Sequence, residues 1–234
     1  AMTIFEQDKQ YIANTYGRQE IAIVEGKNAH CTDSNGKDYI DFTSGIGVNS
    51  LGFCSDAWVS AITEQLHTLN HISNLYYTLP QVELAEKLTE RTGMKKVFFA
   101  NSGAEANEGA IKTARKYSSD KYSSSRHEII TLKDSFHGRT ITTLAATGQE
   151  VFHKDFSPFT KGFVYAKAND IKDLQTKVTE NTCAIMLECI QGEGGVLPLE
   201  QKFVDDVAKI CAEKDILLIV DEVQTGVGRT GTFL

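Results

Sequence analysis

Residues Ile216-Leu217-Leu218-Ile219-Val220 form an unbroken aliphatic run that stops at Asp221, followed by Glu222-Val223-Gln224. Such a run reads as a strand buried on both faces with an acid at its carboxyl end. In open α/β sheets that edge is where ligands bind. An unpaired charge in an apolar site is costly, so Asp221 needs a partner. A protonated ring nitrogen of a bound heterocycle is one such partner.

Three other turns follow expected strands. Asn101-Ser102-Gly103-Ala104-Glu105-Ala106-Asn107-Glu108 joins a strand to a helix. Its small residues allow close approach, and the helix N-terminus offers free N–H groups to an anion such as a phosphate. The same residues also make a simple capped helix, with Ser102 or Asn101 as N-cap and Glu105 near N3. In Asp134-Ser135-Phe136-His137-Gly138-Arg139-Thr140 an aromatic ring can lie against a planar ligand, and Arg139 offers a fork to a carboxylate. An exposed loop with an ordinary surface arginine is equally compatible. Glu188-Cys189-Ile190-Gln191-Gly192-Glu193-Gly194-Gly195 reads either as an unstrained surface loop or as an acidic rim whose Glu193 can pair with a mobile arginine. Each turn alone says little; together, at successive strand ends, they describe one pocket with a phosphate seat, a ring-stacking face and an acid.

The elements that must carry these turns follow from periodicity. Segments 21–30 and 38–42 flank the turn Asp33-Ser34-Asn35-Gly36-Lys37 and read as a small antiparallel meander. Helical spacing covers 58–69 and 81–91, the second after Pro80. Beyond them, strands are expected at 96–100, 127–132, 162–165, 183–189 and 216–221, with helices at 105–117 and 204–214. The alternation implies βαβ crossovers and a mainly parallel sheet, an α/β fold. Residues 118–125 read as a surface loop.

Composition bounds the rest. The 234 residues are 41% hydrophobic and 9% aromatic, enough for a core, and the formal net charge of −7 argues against nucleic-acid or anionic-membrane partners. No apolar run is long enough to span a bilayer, and no secretory core follows the start. Ala1 before Met2 looks like a residual tag residue. The five cysteines are odd in number and lack CxxC or zinc spacing, so reduced, buried thiols and a cytoplasmic location are expected, with no metal site and no ligand role for His137.

At the turns described above, together with Asn70-His71-Ile72-Ser73-Asn74-Leu75-Tyr76-Tyr77, Ala146-Thr147-Gly148-Gln149 and Asp221-Glu222-Val223-Gln224-Thr225-Gly226-Val227-Gly228-Arg229-Thr230-Gly231, the chain resembles the class III aminotransferases of the fold type I, pyridoxal-phosphate-dependent superfamily. The resemblance covers nearly the whole chain. It implies an incomplete large domain over 51–234, a mainly parallel sheet flanked by helices, and an N-terminal segment, 1–50, belonging to a small domain. The cofactor it implies is pyridoxal 5'-phosphate, held by Ser102, Gly103, Ala104, Phe136, His137, Glu188, Asp221, Val223 and Gln224. Within that set Gly103 and Ala104 supply backbone N–H groups to the phosphate. Phe136 stacks on the ring, Asp221 keeps the ring nitrogen protonated, and Gln224 contacts the phenolic oxygen. Arg139 binds the substrate α-carboxylate, and Glu193 gates a second arginine, so Asp221 and Glu193 stand as the catalytic pair. The implied reaction moves the amino group of N2-acetylornithine to 2-oxoglutarate, in arginine biosynthesis, in a homodimer with segment 74–77 near the partner's site.

Two departures from the family pattern stand out. Phe53-Cys54-Ser55-Asp56 replaces a His and then a His-Pro pair, which bears on the local helix start. The chain also stops before the family's Schiff-base lysine. Lys112, Lys116, Lys133 and Lys202 do not fall where it is expected, so this polypeptide alone is expected to be inactive, with exposed sheet edges. Ornithine, succinylornithine or 4-aminobutyrate as donor, and a non-catalytic scaffold retaining the dimer surface, are the alternatives. A Rossmann dehydrogenase is disfavoured, since no GxGxxG follows an early strand.

Overall fold

The computed structural model describes residues 2–234, so the expectation for Ala1 lies outside the described residues. The chain forms two compact units, one ending at Thr78 and one spanning Leu79–Leu234. No helix among the described residues is long and apolar enough to cross a membrane.

The first unit opens with α1 (Ile4–Tyr11), whose N-cap Thr3 accepts from the Glu6 amide while the Glu6 carboxylate accepts from the Thr3 amide, a capping box. Strands β1 (Ile23–Lys27), β2 (His30–Asp33) and β3 (Asp38–Ile40) then pair antiparallel in chain order. The turn at Asp33 closes as its sequence predicts. The Asp33 carboxylate accepts from the amides of Asn35 at 2.9 Å and Lys37 at 3.0 Å and from the Tyr39 hydroxyl at 2.9 Å. The Lys37 amide bond leads the interactions that pull its carboxyl below the usual range. The single strand expected over 21–30 is two strands. Asn28 adopts φ 55°, a left-handed conformation asparagine tolerates, and folds the run into a hairpin with Lys27 opposite His30. Helix α2 (Asp56–Thr68) starts where the unusual 53–56 segment stands. Its N-cap Ser55 makes no side-chain cap bond, and Lys27 instead bonds Asp56 at 2.5 Å and the Cys54 carbonyl at 2.8 Å.

The second unit runs α3 (Leu79–Thr92), α4 (Gly103–Lys121), β4 (Glu128–Leu132), α5 (Ile141–Ala146), β5 (Phe163–Ala166), α6 (Ile171–Lys177), β6 (Thr182–Leu187), a short hairpin β7 (Ile190–Gln191) and β8 (Leu197–Pro198), α7 (Gln201–Lys214) and β9 (Leu217–Val220). Strands β5-β4-β6-β9 form a parallel sheet in that order. Side chains alternate across it. Ile130, Leu132, Ile185 and Leu187 face Leu174 of α6 and Phe203, Val207 and Ile210 of α7. Ile129, Ala184 and Met186 face Ile111 and Ala114 of α4. Burying each large aliphatic chain fully is worth roughly 1.5–3 kcal/mol.

Four further expectations are corrected. Residues 96–100 form no ladder, since no strand among the described residues pairs with them, and Phe98 is 73% exposed. The 118–125 segment is not all loop: α4 continues to Lys121, and Ser118 is buried. Nor is the strand at 216–221 buried on both faces. β6 is covered throughout, whereas β9 lies at the sheet's edge with Val220 exposed. Of the cysteines, Cys31, Cys183 and Cys211 are buried, Cys189 is half-buried and Cys54 is exposed, so burial is not general.

The difference between β6 and β9 is measurable. Ile185→Ala, at a position with 0% exposure, loses about 2–5 kcal/mol in urea unfolding, and Ile219→Ala loses less than half of that.

Candidate active site

Strand β9 ends by donating the Asp221 amide to the Leu187 carbonyl at 2.8 Å, which delivers the Asp221 side chain to the carboxyl edge of the sheet. There the carboxylate is 6% exposed. Its Oδ2 accepts from His137 Nδ1 at 2.8 Å and Asn107 Nδ2 at 2.9 Å, and its Oδ1 from the Val223 amide at 2.9 Å. Burial pushes the Asp221 carboxyl up, but the His137 bond and charge with the Val223 and Asn107 donors outweigh it, leaving the group below its ordinary value. It is therefore a carboxylate at neutral pH.

Two elements bring those donors. The turn after β4 places His137, which is 2% exposed. The His137 amide donates to Thr147 Oγ1 at 3.0 Å, and its carbonyl accepts from Asn107 at 2.9 Å. Gly138 has φ 125°, and a Cβ there would lie 2.6 Å from Thr143 Oγ1 and 2.8 Å from the Ala104 Cβ. Only glycine lets the turn sit this close to helix α4. Thr140 caps α5 in a capping box with Thr143 and donates to Glu108 of α4 at 2.5 Å, a second tie between turn and helix.

At the start of α4 the capping expected from sequence is present: Ser102 Oγ accepts from the Glu105 amide at 3.2 Å, while Glu105 accepts from the Asn101 amide at 2.9 Å. The Asn101 side-chain bond leads the interactions that lower the Glu105 carboxyl. Ala106 is satisfied by the Ser102 carbonyl. Among the described residues, the amides of Gly103 and Ala104 make no hydrogen bond, which leaves two donors at a positive dipole end. A Cβ on Gly103 would approach Val223 Cγ1 to 2.7 Å, so helix start and acid loop are in close contact.

The structure thus brings Gly103, Ala104, His137, Asp221 and Val223 into one cluster. Phe136 and Glu188 adjoin it. The Phe136 amide donates to Glu188 Oε1 at 2.9 Å, and its ring meets Phe152 edge-on at 5.5 Å. Gln224 is exposed, its Cβ 3.4 Å from where a Gly192 side chain would begin. Arg139 is exposed and lays its guanidinium 4.9 Å from the Phe152 ring centre and 5.9 Å from that of Phe136. Glu193 is exposed and accepts from Gln149 Nε2 at 2.5 Å, and Ser102 is exposed at its cap. A cavity of about 460 Å³ runs along the same turn, lined by Lys133, Gly148, Gln149, His153 and Tyr165. It includes neither Asp221 nor the α4 start, and the polar cluster is the better guide to chemistry because it alone holds a buried charge. Asn107 and Thr147 were not singled out by sequence reasoning. An amide inside an Ala/Gly-rich helix face was the available signal for Asn107.

Glu188 gives the site a pH signature. Burial, opposed by the Phe136 amide, raises its carboxyl above the ordinary range. The folded chain then holds a proton that the unfolded chain has released. Stability on this account falls as pH rises from about 4.3 through the raised value. Glu188→Gln keeps an acceptor for Phe136 and removes that loss. Its Tm gain over the native chain is nil near about pH 4, grows as pH rises through the raised value and is level above it, read by thermal melts across pH.

Comparison with known proteins places this geometry. The family profile described as Aminotransferase class-III matches residues 11–234. An acetylornithine aminotransferase of Haemophilus ducreyi is 56% identical over 230 residues, 98% of this chain and 58% of that protein. A solved ornithine aminotransferase of Toxoplasma gondii, with partial occupancy of PLP at its active site, superposes with TM-score 0.93 at 32% identity, over 98% of this chain and 55% of that one. An N-acetylornithine aminotransferase structure from Stenotrophomonas maltophilia matches with TM-score 0.83 at 36% identity, covering 99% and 57%. The chain spans less than three fifths of the length of these relatives.

Proposed function

The chain belongs to the class III aminotransferases, a family dependent on pyridoxal phosphate, and from that premise we propose that the Asp221 cluster seats this cofactor and that the whole protein transfers the amino group of N2-acetylornithine to 2-oxoglutarate, a step of arginine biosynthesis. The observation that supports this most is the buried Asp221 carboxylate in one cluster with two unbonded amides at the start of α4.

The residues fit such a group. The free Gly103 and Ala104 amides and the helix dipole suit a phosphate, with Ser102 beside them. Glycine at 103 keeps Val223 close where any side chain would intrude. Asp221 Oδ1 accepts one bond within the chain and has a lone pair left for a ring N–H. When bound, the cofactor supplies an electron sink for negative charge at the substrate's Cα. Asp221, held ionised, would keep a proton on the ring nitrogen. Phe136 would offer its ring face, Gln224 would take the phenolic oxygen, and His137, Glu188 and Val223 would wall the seat. Arg139 takes the substrate α-carboxylate by its two-pronged fork. Glu193, exposed and partnered only by a neutral amide in the described contacts, is free to exchange toward an arginine.

The donor follows the similarity in sequence, since 56% identity to an acetylornithine aminotransferase outweighs a backbone superposition at 32% on an ornithine enzyme. Segments 1–50 and 51–234 are read as parts of the small and cofactor domains. The unpaired cysteines, Cys54 exposed among them, suit a reducing compartment and support a cytoplasmic location. Exposed Leu75 and Tyr77 support a homodimer.

Two measurements test the proposal. Pyridoxal phosphate added to the whole protein gives a long-wavelength absorbance that N2-acetylornithine bleaches, with kcat/KM for that donor above those for ornithine, succinylornithine and 4-aminobutyrate. No absorbance change, or preference for another donor, overturns it in whole or in its substrate. Asp221→Asn lowers kcat by about a hundredfold or more while the phosphate seat still binds inorganic phosphate.

A further inference from the structure

We infer that Asn107 is a positioning residue for this reaction, its side-chain amide holding the Asp221 carboxylate and the His137 turn in one arrangement so that the acid keeps its aim at the ring nitrogen. The inference rests on the proposed cofactor seat. Asn107 lies on α4 and is 6% exposed. Its Nδ2 carries two protons, and both are used: one to Asp221 Oδ2 and one to the His137 carbonyl, each at 2.9 Å. The two acceptors lie 114 and 30 residues away, on different elements.

This bond decides which oxygen of Asp221 stays available. Asn107 and His137 both occupy Oδ2, and Val223 occupies one site on Oδ1. The remaining acceptor capacity is therefore on Oδ1. Without the amide, Oδ2 keeps only the His137 donor, so two bonds rather than three fix the carboxylate's rotation about its Cβ–Cγ bond. The His137 carbonyl also loses its partner in a buried place, which loosens the turn that carries the histidine. Another anchor of the turn, Thr147 Oγ1, accepts from the His137 amide and bonds the Gly138 carbonyl, away from Asp221.

A residue that only packs and one that aims the acid differ in what their loss changes. Asn107→Leu keeps the volume and removes both donors; Asn107→Asp keeps the shape and sets an acceptor against Asp221. In the whole protein loaded with pyridoxal phosphate, both variants lower kcat about ten- to a hundredfold with KM for the amino donor within about threefold of native. Both also shift the pH midpoint of the bound cofactor's absorbance and weaken cofactor affinity, and the aspartate variant does so more. Where the leucine variant does not fold, Asn107→Ser, small and still polar, carries the same comparison. Native kcat and an unshifted midpoint in these variants overturn the inference whatever their Tm. A native protein that binds no pyridoxal phosphate overturns the proposed function, and this inference with it.

Discussion

A carboxylate almost removed from water at a strand end is the constraint around which the second unit is arranged. An isolated buried charge of this kind is too unfavourable to persist. Asp221 persists because three donors from three places converge on it: the His137 ring, the Asn107 amide and the Val223 backbone. Only Val223, two residues on, is local to the strand; the other two come from 84 and 114 residues away. The helix, the turn after β4 and the loop after β9 must all arrive together, and the small residues at 103, 104 and 138 are what let their backbones come within reach.

The sheet makes that convergence repeatable. Four parallel strands in the order β5-β4-β6-β9 send their carboxyl ends to one edge, so the turns after β4, β6 and β9 become neighbours without any long detour of chain. Beneath them, apolar layers on both faces fix the strands in register, Ile130 opposite Ile185 and Leu187 opposite Val220. The polar cluster is thus held at the edge of a sheet whose register is set by apolar packing on both faces. This is the condition under which a strained or charged site can be tolerated.

Glu188 and Asp221 show how environment separates two acids at one edge. Both are nearly excluded from solvent. Glu188 meets burial with two backbone donors, the Phe136 amide and a longer bond from Gly192, and burial wins. Asp221 has a histidine as well, and the donors win. One group is pushed toward holding its proton and the other toward giving it up, although they stand in the same electrostatic neighbourhood.

Aliphatic runs, small-residue turns and the acid after residues 216–220 were readable in the chain because each is a local pattern: strand period, helix cap, glycine where a backbone must turn tightly. Those patterns carried the parallel α/β character, the meander around Asp33 and the residues at the strand ends. They failed where the outcome depends on a distant neighbour. Residues 96–100 have strand composition but no ladder, since a strand exists only with a partner to receive its hydrogen bonds. β9 is half-covered because of its place at the edge, which no run of Leu and Ile encodes. The pairing of Asn107 with Asp221, 114 residues on, likewise belongs to the assembled structure: a side-chain amide has no preferred acceptor until folding removes water and leaves it two.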